Sequence, residues 1–215
     1  MKKMHRIVLL LLIVSLVACL FAGCETEEQK IEKLAGTWTM NVAGDEDQAM
    51  TLMENVDLYE EEIALVSSID ELQYVYTVTF TTGKSYNFAY DGAATKEHVR
   101  DFYVDVFDQI FESRAALNEI YEMEFDSMTK EGFLQFYADL YAYDSFDTLL
   151  EEFVNNAYDY DELEEPWETG TYNIKGDRIN CTITGESEAE YITYELEDDV
   201  LTLTYTDGTE VYTRK

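Results

Sequence analysis

Histidine, proline and basic side chains are scarce in this sequence, and each scarcity closes off a class of chemistry. Two histidines occur in 215 residues, and His5 lies in the opening stretch, so His98 is the only imidazole in the remainder. Nucleophilic catalysis by a Ser–His or Cys–His pair needs an imidazole base beside its nucleophile. No nucleophile can be assigned to His98, which reads as a first-turn residue of a helix capped by Thr95. A zinc site needs several His or Cys ligands, and apart from carboxylates only His98 and Cys181 lie in the folded part. No glycine-rich loop suited to phosphate is present. No Pro-, Gly- or Ser-rich linker, internal repeat or low-complexity tract divides the chain, and its single proline, Pro166, closes a helical stretch. Lys and Arg number 14 against 46 Asp and Glu, a net charge of −32. Such a surface repels nucleic acid and anionic headgroups and attracts cations and basic peptides. Its simplest role is a solvated acidic coat.

What is present begins with an address. Met1-Lys2-Lys3-Met4-His5-Arg6 is a short basic region, and Ile7 to Ala22 follows without a charge. That run is short of the roughly 20 apolar residues a spanning helix needs, and it has the form of a secretory signal. Leu20-Phe21-Ala22-Gly23-Cys24 resembles a bacterial lipobox, in which the cysteine is acylated and becomes the new N-terminus. Leu16-Val17-Ala18-Cys19 fits the same pattern. Cys24 is preferred, because acylation at Cys19 leaves Leu20-Phe21-Ala22 exposed beside the anchor. Ordinary cleavage nearby, or an uncleaved anchor, are the alternatives, and all three place the domain outside the cytosol. The expected organisation is a signal peptide over 1–23, a tether over 24–30 and one domain over 31–215, held on the extracytoplasmic face of a bacterial plasma membrane. Three of the 14 basic residues and none of the 46 acids precede Cys24, so the remainder is 11 basic against 46 acidic, or −35. Cys181 is then the only free cysteine, and no internal disulfide can form. It alternates with Ile179 and Ile183 and reads as a small buried hydrophobe.

The remaining chain of about 190 residues suffices for one domain with a core. Its last quarter, Gly170 to Lys215, consists of short β-branched and aromatic runs split by Lys175-Gly176-Asp177, Gly185-Glu186-Ser187, Asp198-Asp199 and Asp207-Gly208. Period-two alternation with such punctuation predicts an antiparallel meander. Gly36 to Val42 reads as a further strand, and Tyr74 to Phe80 with Tyr86 to Tyr90 as a hairpin about Thr81-Thr82-Gly83-Lys84. Between Asp45 and Leu72 helical spacing appears (Ala49, Leu52, Met53, Val56), and residues 95–166 read as mainly helical, with Thr129 and Ser145 as further caps. Ile31 to Leu34 predicts a single turn. About eight strands result, a number at which an antiparallel sheet closes on itself. The expected fold is therefore α+β: an antiparallel barrel with a helical insertion over 95–166, between strands 3 and 4, capping one end.

A signal with a lipobox, Gly36-Thr37-Trp38 opening a strand, and a meander ending Tyr212-Thr213-Arg214 together resemble the lipocalin-like lipoproteins of Gram-positive bacteria. The resemblance covers the strands. It implies that Trp38 packs across the closed end of the barrel beneath Arg214, a stacking worth roughly 0.5–2 kcal/mol.

Carboxylates are the only abundant reactive groups, and with 46 of them some pair always lies at a catalytic separation. Asp159 to Glu165 and Asp45-Glu46-Asp47 are weak candidates for calcium, the first lacking the mid-loop glycine of an EF-hand. No metal or cofactor is expected, and no catalysis. Binding remains. Tyr74, Tyr76, Tyr86, Phe88, Tyr90, Tyr172, Tyr194 and Tyr205 are the candidate ligand-binding residues, since buried phenols need partners. Two interiors are open: a partly wet pocket for a small molecule or peptide, or a solid core in which aromatics fill volume. The alternative function is a structural or interaction protein that binds another surface protein through its acidic or helical face.

Overall fold

The fold is that of a computed structural model, which describes residues 25–215. The signal peptide, the lipobox, Cys19 and Cys24 lie outside the described residues. Eight strands form one closed antiparallel barrel: β1 (Gly36–Ala43), β2 (Gln73–Phe80), β3 (Ser85–Tyr90), β4 (Glu168–Lys175), β5 (Arg178–Ile183), β6 (Glu190–Glu197), β7 (Val200–Thr204) and β8 (Thr209–Arg214). Each pairs with the next in sequence, and closure comes from β1 against β8 through Trp38↔Arg214 and Thr39↔Thr213. The expected count of one strand, a hairpin and a five-stranded meander is what folds.

The inward phase follows from alternation. Trp38, Val78, Phe80, Tyr86, Tyr172 and Ile174 are buried inside, as are Ile179, Cys181, Ile192, Leu201, Leu203 and Tyr212 further round. Their burial supplies the driving force, roughly 1.5–3 kcal/mol for each fully buried large apolar side chain. Helix α1 (Glu27–Leu34) adds Ile31 and Leu34 to this core at the end where β1 begins. It starts earlier than the single turn expected, inside the predicted tether. Thr26 and Gln29 form a capping box in which Thr26 Oγ1 accepts from the Gln29 N–H at 3.2 Å and Gln29 Oε1 from the Thr26 N–H at 3.0 Å.

The helices gather at the opposite end, on the β2–β3 side. Helices α2 (Glu46–Asn55) and α3 (Glu60–Ile63) join β1 to β2. Between β3 and β4 run α4 (Gly92–Glu112), α5 (Asn118–Tyr121), α6 (Lys130–Leu140), α7 (Phe146–Ala157) and α8 (Tyr160–Leu163). All share a second core in which Val99, Phe102, Tyr103, Val106, Phe107 and Ile110 of α4 are wholly buried. Tyr74, Tyr76 and Tyr90 of the barrel pack against that core.

Thr129 and Ser145 cap α6 and α7 as expected, but α4 is capped by Asp91, one turn before Thr95. Asp91 Oδ1 accepts from the Ala94 N–H at 3.1 Å. Thr95 instead lies within the helix, buried, and its Oγ1 accepts from the Val75 N–H of β2 at 3.1 Å. The hydroxyl satisfies a strand amide, which leaves the carboxylate as the cap. Among the described residues no helix is long and apolar enough to cross a membrane.

Candidate binding site at the barrel mouth

The two ends of the barrel are built differently. At the end where β1 begins, the Arg214 guanidinium lies 4.0 Å from the Trp38 ring centre. It donates to Ala35 O at 3.0 Å and to Lys33 O at 2.6 Å, and the Trp38 indole N–H donates to Leu34 O at 2.8 Å. The closing residues of the sheet are thus tied to the C-terminal carbonyls of α1, groups a helix cannot satisfy by itself. Gly36 makes this approach feasible. Its φ is +141°, and a Cβ there would stand 2.6 Å from Arg214 Nη1.

At the other end a cavity of about 160 Å³ enters the barrel. Tyr76, Phe88, Cys181, Ile192, Tyr205 and Tyr212 form much of its wall, and three carboxylates, Glu168, Glu190 and Glu210, join them. The register explains the acids. Glu168 opposes Phe88, Glu190 opposes Cys181 and Glu210 opposes Leu203, so each occupies an inward position on an alternate strand. Trp167 stacks on Phe88, with centroids 5.3 Å apart and planes at 29°, and stands exposed at the rim.

Two of the acids are held by phenols. Tyr86 Oη donates to Glu168 Oε1 at 2.9 Å, and Tyr212 Oη to Glu210 Oε2 at 2.8 Å. Burial first, and then these carboxylates, push the Tyr86 and Tyr212 hydroxyls well above the ordinary phenol range, so both stay protonated donors. Tyr205 is raised in the same way by burial and by Tyr212 and Glu210, and burial pushes Tyr76 up to about 12. Gly170 gives Tyr86 its place, because a Cβ there would meet the phenol ring at 2.6 Å. Glu190 accepts no hydrogen bond, and none of the three acids has a Lys, Arg or His partner, among the described residues.

Of the tyrosines and phenylalanine singled out from the sequence, Tyr76, Phe88 and Tyr205 line this cavity, and Tyr86 positions one of its acids. Tyr90 Oη donates to Tyr76 Oη at 3.2 Å, behind the wall. Tyr74 and Tyr158 hydroxyls meet at 2.6 Å on the helical side. Tyr172 donates to Thr81 O at 2.8 Å toward the Trp38 end, and Tyr194 lines a surface hollow there with Lys30 and Asp177. Trp167, Tyr212, Cys181 and the three glutamates were missed. Their signal was available: Glu190-Ile192-Tyr194 and Glu210-Tyr212-Arg214 carry acids in the inward phase of their strands.

The other reactive groups lie elsewhere or are spent. His98 Nε2 is 3.4 Å from the Asn41 amide on the outer face. Burial, then the charges of Glu168 and Glu190, push the Cys181 thiol up to about 12. The two acidic runs considered for calcium are helix caps. Asp45 accepts from the Gln48 N–H at 2.8 Å and Asp159 from the Glu162 N–H at 3.1 Å. Among the described residues no three His, Cys, Asp or Glu side chains converge as a metal site would require.

Fold and site together define a closed eight-stranded antiparallel barrel with one plugged end and one acidic, aromatic mouth, a form compatible with a lipocalin-like fold. Set against protein-family models, curated proteins and solved structures, the chain matches none.

Proposed function

We propose that this chain is a lipid-anchored, extracytoplasmic binding protein that holds a small molecule or peptide end in the mouth of its barrel, without catalysis. The cavity carries the reading. Its volume is an order of magnitude above the ~10–15 Å³ that one water needs, and a few polar groups converge on a largely aromatic wall, the usual chemistry of a ligand pocket. The non-catalytic part is supported by the position of the candidate bases and nucleophiles: His98 sits on the outside of the barrel and Cys181 is held as a neutral thiol. The anchor rests on the sequence through Cys24. Native mass spectrometry of the purified chain after exposure to a metabolite mixture tests the binding reading. Retained small-molecule mass that disappears when Tyr205→Ala removes one ring of the aromatic wall is expected; no retained mass from any mixture overturns it. Radiolabelled fatty acid incorporated into the wild type and not into Cys24→Ala tests the anchor.

One observation favours the second reading, a surface protein that docks another protein through its helical face. A groove of about 990 Å³ runs between α2 and α3, with Met50, Leu58, Ile63 and Val66 in its floor and Glu46, Glu54, Asp57 and Glu60 at its edges. A pull-down from cell envelope separates the two, since only a partner held by these charges is released by moderate salt.

A further inference from the structure

We infer that the barrel mouth selects a small organic ammonium ion, whose charge is met by Glu168, Glu190 and Glu210 and whose carbon skeleton lies against the rings of Tyr76, Tyr205 and Trp167. This rests on the binding reading above and names the chemical class of its ligand.

Two observations lead to it. First, the acids stand on the inner side of β4, β6 and β8, at the mouth, and no cation of this protein faces them among the described residues. Carboxylates gathered in a partly enclosed space repel one another and lose hydration. Phenols donate to Glu168 and Glu210, while Glu190 stands exposed to water at the rim with no donor from this chain among the described residues. Three negative charges around one cavity attract a cation and repel an anion. Second, the remaining wall is aromatic, and ring faces attract cations, most strongly where water is excluded. Aromatic walls with carboxylates suit a cationic nitrogen that bears carbon substituents, which bury apolar surface as well.

The alternatives within the cation class are separated by geometry. A hard metal ion needs several oxygens drawn together at about 2–2.6 Å, and these side chains do not converge so closely. Spread around a cavity of about 160 Å³, they fit a cation of larger radius. The acidic surface as a whole attracts every cation weakly, but at physiological salt that attraction fades over about 8 Å. Affinity that survives such salt belongs to the enclosed site.

The test is isothermal titration of the full chain in non-ionic detergent at about 0.15 M salt, with n-butylammonium, tetramethylammonium, calcium and the neutral alcohol 1-pentanol as probes. One ammonium probe is expected to bind saturably at one per chain, at least tenfold tighter than 1-pentanol. Glu190→Gln is expected to weaken it at least tenfold, and Glu195→Gln, on the outer face of the same strand, to leave it unchanged. Glu190 is exposed, so its isosteric change leaves folding intact, and an unaltered thermal transition verifies this. The ratio of butylammonium to tetramethylammonium binding then assigns the class to primary or quaternary amines. Equal binding of 1-pentanol, or no effect of Glu190→Gln, overturns the ammonium assignment and leaves the pocket reading standing. Tighter binding of calcium overturns it in favour of a metal. Failure of both ammonium probes overturns the ammonium assignment, and together with no ligand retained in the mass-spectrometric experiment it removes the pocket reading as well.

Discussion

Replacing Arg214 by Met separates the closed end of the barrel from its charge while keeping most of the side chain's packing. The lost interactions are three. Stacking on Trp38, which is fully buried, is worth about 0.5–2 kcal/mol. The hydrogen bonds to Ala35 O and Lys33 O are charge-assisted, and such bonds contribute about 1.5–3 kcal/mol each when shielded. Arg214 is about a third exposed, at 31 %, so water takes over part of both in the variant, and the lower limit applies. The ion pair with Asp199, whose side chain is 80 % exposed, adds close to nothing. Those lower limits come to about 3.5 kcal/mol, and with the part that water recovers the loss is about 3 kcal/mol, only a small share of it from the Trp38 stacking. For a domain of this size each kcal/mol shifts the melting temperature by about 2–4 °C, so a fall of about 6–12 °C is expected.

Urea unfolding followed by far-ultraviolet circular dichroism measures it, as a lower midpoint at unchanged slope. Arg214→Lys sharpens the test. Lysine keeps the charge but not the planar fork that reaches two carbonyls while covering the indole, so it should recover less than half of the loss. Gly36→Ala should act in the same direction, by displacing the guanidinium. The reasoning is refuted if Arg214→Met changes stability by less than about 0.5 kcal/mol, or if Arg214→Lys is as stable as the wild type.

Three further outcomes follow from the remaining polar groups. Glu62, 1 % exposed, accepts from the Tyr121 and Tyr137 hydroxyls and, at 2.8 Å, from the Tyr59 N–H; Glu62→Leu orphans all three donors and should lower urea stability by about 2–4 kcal/mol, with Glu62→Gln markedly milder. Burial would raise the Asp91 carboxyl, but Lys215 and the Ala94 N–H more than reverse that and hold it below its ordinary value. A depressed folded value means stability that is complete above about pH 4 and lost as the pH falls through and below the ordinary Asp range; Asp91→Asn, still a good cap, should flatten the acid limb of a stability–pH curve, and superimposable limbs would count against the pair. Cys181 should resist a bulky aromatic disulfide reagent at pH 8 and react in step with unfolding as urea rises, because burial pushes its thiol up to about 12; labelling of the native protein at a free-thiol rate would contradict the burial.

The strands were legible because alternation and turn chemistry point the same way at every one. The inward residues of β2, Tyr74, Tyr76, Val78 and Phe80, are consecutive members of one period-two series, and Lys84, at φ +64°, turns the chain where the sequence has Thr81-Thr82-Gly83-Lys84. The α4 stripe was equally plain. The start of that helix was not, because choosing between Asp91 and Thr95 depends on which amide lies nearby, and Val75 N is a contact made only by folding. The Thr26–Gln29 capping box was local and readable, and was passed over because acidic flanks look like a tether. The glutamates at the mouth were hidden by number: among 46 acids, an inward one is distinguishable only by its phase within a strand.

That phase also explains why a single barrel supports two unlike ends. β8 carries Glu210, Tyr212 and Arg214 on its inner side, a carboxylate at the mouth, a phenol between and a guanidinium at the base. The guanidinium has carbonyls, an indole and a carboxylate to meet it. Glu210 has one phenol, and two more acids stand on neighbouring inward positions. The base of the barrel is therefore complete within the chain. Its mouth is chemically one-sided, and the proposed ammonium ligand rests on that asymmetry.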